Sequence, residues 1–92
     1  MARITRRDLE AVVNLLNMIA KTPKEPYRKE GDKHMANIGN YHLSGAYGGW
    51  ALHQMQNDAG GIRDVFQCGH MPARELYEMI HAFRIGFETA KG

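Results

Sequence analysis

Apolar residues recur near the start of the chain as Leu9, Val12, Val13, Leu16, Ile19 and Ala20, the spacing of one helix face. Glu10, Asn14, Asn17 and Lys21 take the opposite face, and Leu15 widens the apolar stripe. Thr5 is a natural N-cap, and Asp8 three residues later completes a shortened capping box. Ile4 and Leu9 stand where a hydrophobic staple forms. Pro23 ends the pattern, because the residue before a proline is pushed out of the helical region. The spacing predicts a helix over about 5–21.

From Tyr41 the period changes from helical to alternating. Gly48-Gly49 signals a two-residue hairpin turn, which places Tyr47 opposite Trp50, Gly45 opposite Leu52 and Leu43 opposite Gln54. One face then carries Tyr41, Leu43, Tyr47, Trp50 and Leu52, and the other His42, Ser44, Ala46, Ala51, His53 and Met55. A second turn at Asp58-Ala59-Gly60 leads to a third strand, with Ile62 and Phe66 set on the Trp50 face. Gly45 makes room beneath Trp50 or Leu52. After Pro72, suited to a helix start, Leu76, Ile80, Phe83 and Phe87 return to helical spacing, flanked by Tyr77 and Met79. The prediction is a two-layer α+β domain over 1–92, α-β-β-β-α, with a three-stranded antiparallel meander against two helices.

Residues 22–40 show neither period and read as one long polar loop carrying Lys24, Arg28, Lys29 and Lys33 among three acids. Connections of that length are uncommon and are either solvated surface or functional.

Composition narrows the class of protein. The 92 residues are 43% hydrophobic and 24% charged, an ordinary globular balance that argues against disorder or a disulfide scaffold. A formal charge of only +2 is small for a protein that lives on nucleic-acid phosphates. The single cysteine cannot close an internal disulfide and fits a reducing compartment. With no long apolar run, signal-peptide core or lipidation motif, the expectation is a cytoplasmic protein without membrane contact. A domain this small leaves apolar surface uncovered, which favours a homodimer.

Candidate chemistry is sparse. His42, Ser44 and His53 share a sheet face, and Cys68-Gly69-His70 follows the third strand, but no standard zinc spacing is present and half-exposed sheet histidines are the plainer reading. Cys68 with His70 lacks a clear group to orient the imidazole. The glycine-rich Ser44–Gly49 run enters a strand rather than a helix, so it is a turn and not a phosphate loop. No catalytic constellation, metal site or cofactor is expected. Arg6, Arg7, Lys24, Arg28 and Lys29, with Tyr27 or Tyr41 to stack, form a candidate surface for a nucleotide or nucleic acid.

The stretches Gly39–Leu43, Gly45–Leu52, Asn57 with Gly60-Gly61, and His70–Leu76, with the Thr5–Glu10 opening, resemble a group of small uncharacterised proteins encoded by tailed bacteriophages and prophages. The resemblance implies a phage accessory protein expressed inside a bacterium and assigns no catalytic or binding residue. Together these features predict a non-catalytic binding protein that engages, and inhibits, a bacterial host or defence protein. Its contact would use loop 22–40 and the exposed sheet face, which bears His42, Ser44 and His53 if the helices cover the Trp50 face and an aromatic patch if they cover the other. Sequestration of an anionic nucleotide is the alternative.

Overall fold

The computed structural model describes residues 3–90. Helix α1 (Arg6–Ala20) opens the fold, a hairpin β1 (Tyr27–Glu30) and β2 (Lys33–Ala36) follows, then strands β3 (Tyr41–Ala46), β4 (Gly49–Met55) and β5 (Ile62–Asp64), and helix α2 (Ala73–Ala90) closes it. Strands β3-β4-β5 form the expected antiparallel meander, and both helices lie on one side of it. The arrangement is the two-layer α+β domain that the periodicity predicts, with one additional hairpin. Among the described residues, no helix is long and apolar enough to cross a membrane.

The start of α1 follows its local chemistry. Asp8 donates its backbone N–H to Thr5 Oγ1 at 3.3 Å, and Thr5 N–H donates to Asp8 Oδ2 at 2.9 Å, the reciprocal capping box. The helix ends at Lys21, whose φ of 59° is left-handed, and Thr22 N–H returns to Asn17 O at 2.9 Å. Leu9, Val12, Val13 and Leu16 face the sheet and meet Tyr41, Leu52, Met71, Leu76 and Ile80 in one buried cluster. Leu43, Trp50, Phe66, Phe83 and Phe87 pack around it. The helices therefore cover the Trp50 face and leave the histidine face open.

Four expectations change. Asn17, assigned to the polar face of α1, is buried: its Nδ2 donates to Tyr41 O and its Oδ1 accepts from Tyr41 N–H, both at 2.9 Å. This side chain pairs with the strand backbone as another strand would, which is why a polar residue is stable there.

The tight turn lies at Tyr47-Gly48, with φ of 54° and 74°, one position earlier than Gly48-Gly49. Gly45 then faces Trp50, and Leu43 faces Leu52. A Cβ on Gly45 would come within 3.0 Å of the Trp50 ring, so the ring itself favours this register. Gly49 serves a different need, since a Cβ there would meet Met71 O at 3.0 Å.

Strand β5 pairs Met55 with Ile62 and His53 with Asp64, so Ile62 points to the histidine face and is half exposed. The β4–β5 connection sets this register: Asn57 Oδ1 accepts from Ala59 and Gly61 N–H, and Gln56 N–H donates to Gly61 O. Phe66 still reaches the covered side, 5.6 Å from the Phe83 ring, because the chain turns after Asp64.

Residues 22–40 are not one irregular loop, since β1 and β2 pair antiparallel around Gly31-Asp32. Every β1 residue is exposed, so the hairpin lacks the apolar alternation that would have announced it. An isolated two-stranded hairpin is marginal in water, and here asparagines fasten its base. Asn37 donates to Glu25 O and accepts from Arg28, and buried Asn40 donates to Pro23 O and Lys24 O.

Candidate functional site

Strand alternation sends Leu43 and Leu52 into the core and their neighbours His42 and His53 to the open side, where the two histidines face each other. The expected pairing of Ser44 with His53 is replaced by Ser44 with Ala51, a consequence of the earlier turn. The His42 and His53 rings stand 5.9 Å apart, and His53 stands 6.2 Å from His70, which the chain after β5 brings back to this face. His70 Nε2 lies 3.1 Å from Ser44 Oγ, and its ring meets the edge of Tyr47 at 5.9 Å. The result is a row of imidazoles from Asn40, whose Oδ1 lies 3.2 Å from His42 Nδ1, to the tip of the β3–β4 hairpin.

Burial holds the His42 and His53 pKa values below the ordinary 6.5. At His42 the neighbouring His53 adds to the depression, and the bond to Asn40 opposes it. At His53 the Asp64 carboxylate opposes burial, while His70 reinforces it. His42 and His53 are thus biased toward neutral imidazoles, which can donate through one nitrogen and accept through the other.

Ser44 touches an imidazole, but Asp64 is committed to the following loop, where its carboxylate accepts from Gln67 and Gly69 N–H. Cys68 is exposed and its thiol donates to Phe66 O, while His70 engages Ser44 and Tyr47 instead. Among the described residues, no group of three or more His, Cys, Asp or Glu side chains could hold a metal ion.

The basic residues singled out by sequence separate into different regions. Arg6 and Lys24 line one cleft beside His42, but Glu10 and Glu25 line it too. Arg28 is used inside the hairpin, donating to Ala36 O, Asn37 Oδ1 and Glu30. Lys29 and Tyr27 are exposed on β1, and Arg7 is exposed on the first turn of α1. Tyr41 is no stacking platform: it is buried on the covered face, its ring edge-on to Phe83 at 5.8 Å, and burial pushes its phenol pKa up.

Two features do not follow from the periodicity. Tyr47, expected on the aromatic face, is 99% exposed at the hairpin tip. The glycine that follows it was the available signal, since an aromatic residue followed by Gly also fits a tight turn. The second is a cleft of 640 Å³ where Arg3, Arg6 and Arg74 surround Trp50. Arg74 lies far along the chain from the N-terminal arginines, and only the packing of α2 against β4 joins them. Trp50 and Met71 exchange backbone hydrogen bonds of 2.8 and 2.9 Å at that junction. Compared with known proteins, the chain matches no family model, no curated protein and no solved structure.

Proposed function

We propose that this chain is a non-catalytic binding protein that engages a bacterial protein through the open sheet face and the tip of the β3–β4 hairpin. The observation that carries this reading is Tyr47. A tyrosine ring almost wholly in solvent, on a residue with a φ of 54°, is unfavourable on both counts for the isolated chain. Interfaces favour tyrosine, whose ring contributes contact area and whose hydroxyl finds a polar partner. On the same face, His70, His53, His42 and Ser44 offer polar side chains, of which His42 and His53 are held toward the neutral form, and Lys29 and Lys33 are exposed on the hairpin. Likeness to phage accessory proteins supports a bacterial target and an inhibitory role. The same reading includes a homodimer joined through α2, where Phe83, Gly86, Phe87 and Ala90 line an apolar groove and Ile85 is half exposed.

The test is capture from bacterial lysate with the wild-type chain, Tyr47→Ala and Lys29→Glu/Lys33→Glu as parallel baits. A stoichiometric partner retained by wild type and lost from Tyr47→Ala, with circular dichroism unchanged, is the expected result. Equal capture by wild type and Tyr47→Ala overturns the assignment of the surface. Light scattering of the purified chain tests the dimer, and Phe87→Glu should return it to a monomer.

A further inference from the structure

We infer that the cleft around Trp50 binds a free nucleoside phosphate, at a site separate from the open sheet face and independent of the protein partner proposed above. Three arginines, Arg3, Arg6 and Arg74, line 640 Å³ of space, and among the described residues no carboxylate lines it with them. The volume falls within the usual range for small-ligand sites, about 300–1,000 Å³. Arg6 and Trp50 also line a second cleft of 480 Å³ over Leu43, Gly45 and Ala46, so the indole is reachable from more than one side.

The elements of the site are fixed by the fold rather than by chance exposure. The paired Trp50–Met71 backbone bonds clamp the start of α2 to β4, and Gly49 permits that close approach. This brings Arg74 into the lining of the same cleft as Arg3 and Arg6. Arg6 holds its guanidinium over the Trp50 ring at 5.6 Å from the centroid. Its Nε also contacts Glu10 at 2.9 Å, and Arg74 contacts Glu78 at 3.8 Å, both pairs exposed to solvent. Such surface pairs are weak, about 0–1 kcal/mol, so they do not cancel the attraction of a guanidinium for a multiply charged phosphate.

The two halves of the site call for two chemical features in one ligand. Convergent arginines select phosphate oxygens, for which the planar fork is well matched. A flat π-system stacks on the indole by taking the place Arg6 holds over it, which turns that guanidinium toward phosphate; such stacking is worth about 1–3 kcal/mol. Pro72 immediately before α2 has no side-chain acceptor with which to cap the first turn, whose residues Ala73 and Arg74 line the same wall. A nucleoside phosphate carries both features at the scale of the cleft. An extended nucleic acid fits less well, because the other basic residues are dispersed, with Arg28, Lys29 and Lys33 on the hairpin among Glu30 and Asp32, Arg63 on β5 and Arg84 on α2.

Trp50 is the only tryptophan in the chain, so its emission reports on the site directly. The full chain is titrated with ADP and with GDP at low salt, followed by fluorescence and in parallel by calorimetry. Saturable binding is expected for at least one of them, with inorganic phosphate binding at least about ten-fold more weakly. Arg74→Gln should weaken binding about ten-fold, the loss of one charge-assisted contact, and Arg3→Gln/Arg74→Gln should abolish it. Arg7→Gln, on the same turn as Arg6 but outside the cleft, should leave affinity unchanged. Raising salt from about 50 to about 200 mM should weaken binding. No heat and no emission change at about 1 mM of either nucleotide overturns the proposal. So does binding unaffected by Arg3→Gln/Arg74→Gln, equal binding of inorganic phosphate, or ten-fold tighter binding of an oligothymidylate, which would make the site one for single strands. Each of these outcomes is separable from the partner test, because Tyr47 and the hairpin lysines lie outside the cleft.

Discussion

The two faces of the central sheet are built from alternate residues of the same strands, yet they carry opposite burdens. On the covered face, Tyr41, Leu52 and the flanking Leu43 and Trp50 close against Leu9, Leu16, Leu76 and Ile80. On the open face, His42, His53 and Ser44 occupy the intervening positions and find partners mainly in one another, in Asn40 and in His70. One face removes most of the apolar surface from water; the other buries only Ala51 and Met55 and otherwise arranges polar groups that water could also satisfy. Stability therefore resides chiefly on the covered face, which leaves His42, His53 and Ser44 able to change without loss of the fold. That separation is what a recognition surface requires.

The largest test of this division compares neighbours in β4. Leu52→Ala should cost about 2–5 kcal/mol, because a fully buried side chain is removed from a packed cluster. His53→Ala, one residue along, should cost no more than about 1 kcal/mol. Urea unfolding of both variants measures the difference. Similar losses would mean that the open face is structural, and the proposed partner surface would lose its main support.

Asn17 sharpens the comparison because it is a polar residue on the covered side. Its amide satisfies both backbone groups of Tyr41 and also accepts from Thr22 Oγ1 at 2.7 Å. Asn17→Ala leaves a buried strand N–H and C=O unpaired and should cost about 2–3 kcal/mol in the same unfolding assay. A loss below that of His53→Ala would show that water replaces the amide, and that the helix–strand bridge contributes little.

The sequence made the covered face legible and the open regions less so, for a physical reason. Helix α1, helix α2 and the sidedness of β3 and β4 follow from apolar periodicity, and burial enforces that periodicity. Even with the turn misplaced by one residue, Leu43, Trp50 and Leu52 were assigned to the correct side, because the resulting shift of partner is two residues and keeps parity. Strand β1 is exposed throughout and β2 buries only Ala36 at its end, so the hairpin's one signal is Gly31-Asp32, a two-residue turn among the lysines and acids. The position of β5 depended on Asn57 as a loop-closing side chain, which periodicity does not register. Of the candidate residues, His42, Ser44 and His53 do share one face. Arg6 and Lys24 share a cleft, whereas Arg28 is engaged in its own hairpin and Tyr41 is in the core. The arginine–tryptophan cleft was not visible, since it joins residues from both ends of the chain.

A smaller effect, of the opposite sign, tests the hairpin tip. Left-handed backbone is costly for tyrosine, by roughly 1–2 kcal/mol, and asparagine tolerates it. Tyr47→Asn should therefore stabilise the free protein by about 1 kcal/mol, less what the edge contact with His70 contributes. Higher stability together with weaker capture of the partner would mark Tyr47 as a residue kept for binding. A destabilised Tyr47→Asn would place the ring in the fold instead.

The subtlest difference between the faces is their response to acid. The covered face carries no histidine, whereas His42 and His53 on the open face both titrate below 6.5, held down first by burial. The unfolded chain takes up these protons at higher pH than the folded chain does, so protonation favours unfolding. Stability from this source is complete above about pH 6.5, declines as pH falls through the folded values, and changes no further below them. Asp64 beside His53 opposes the decline, and His70 reinforces it. The melting temperature of the wild type should fall as pH is lowered from about 7.5 to about 5, and His42→Gln/His53→Gln should flatten that segment of the curve. His81 on α2, lowered by burial and then by Arg84, leaves a residual slope in the double variant. If the two melting curves instead run parallel, the imidazole row is not the source of acid sensitivity, and the open face is energetically silent to protons as well as to packing.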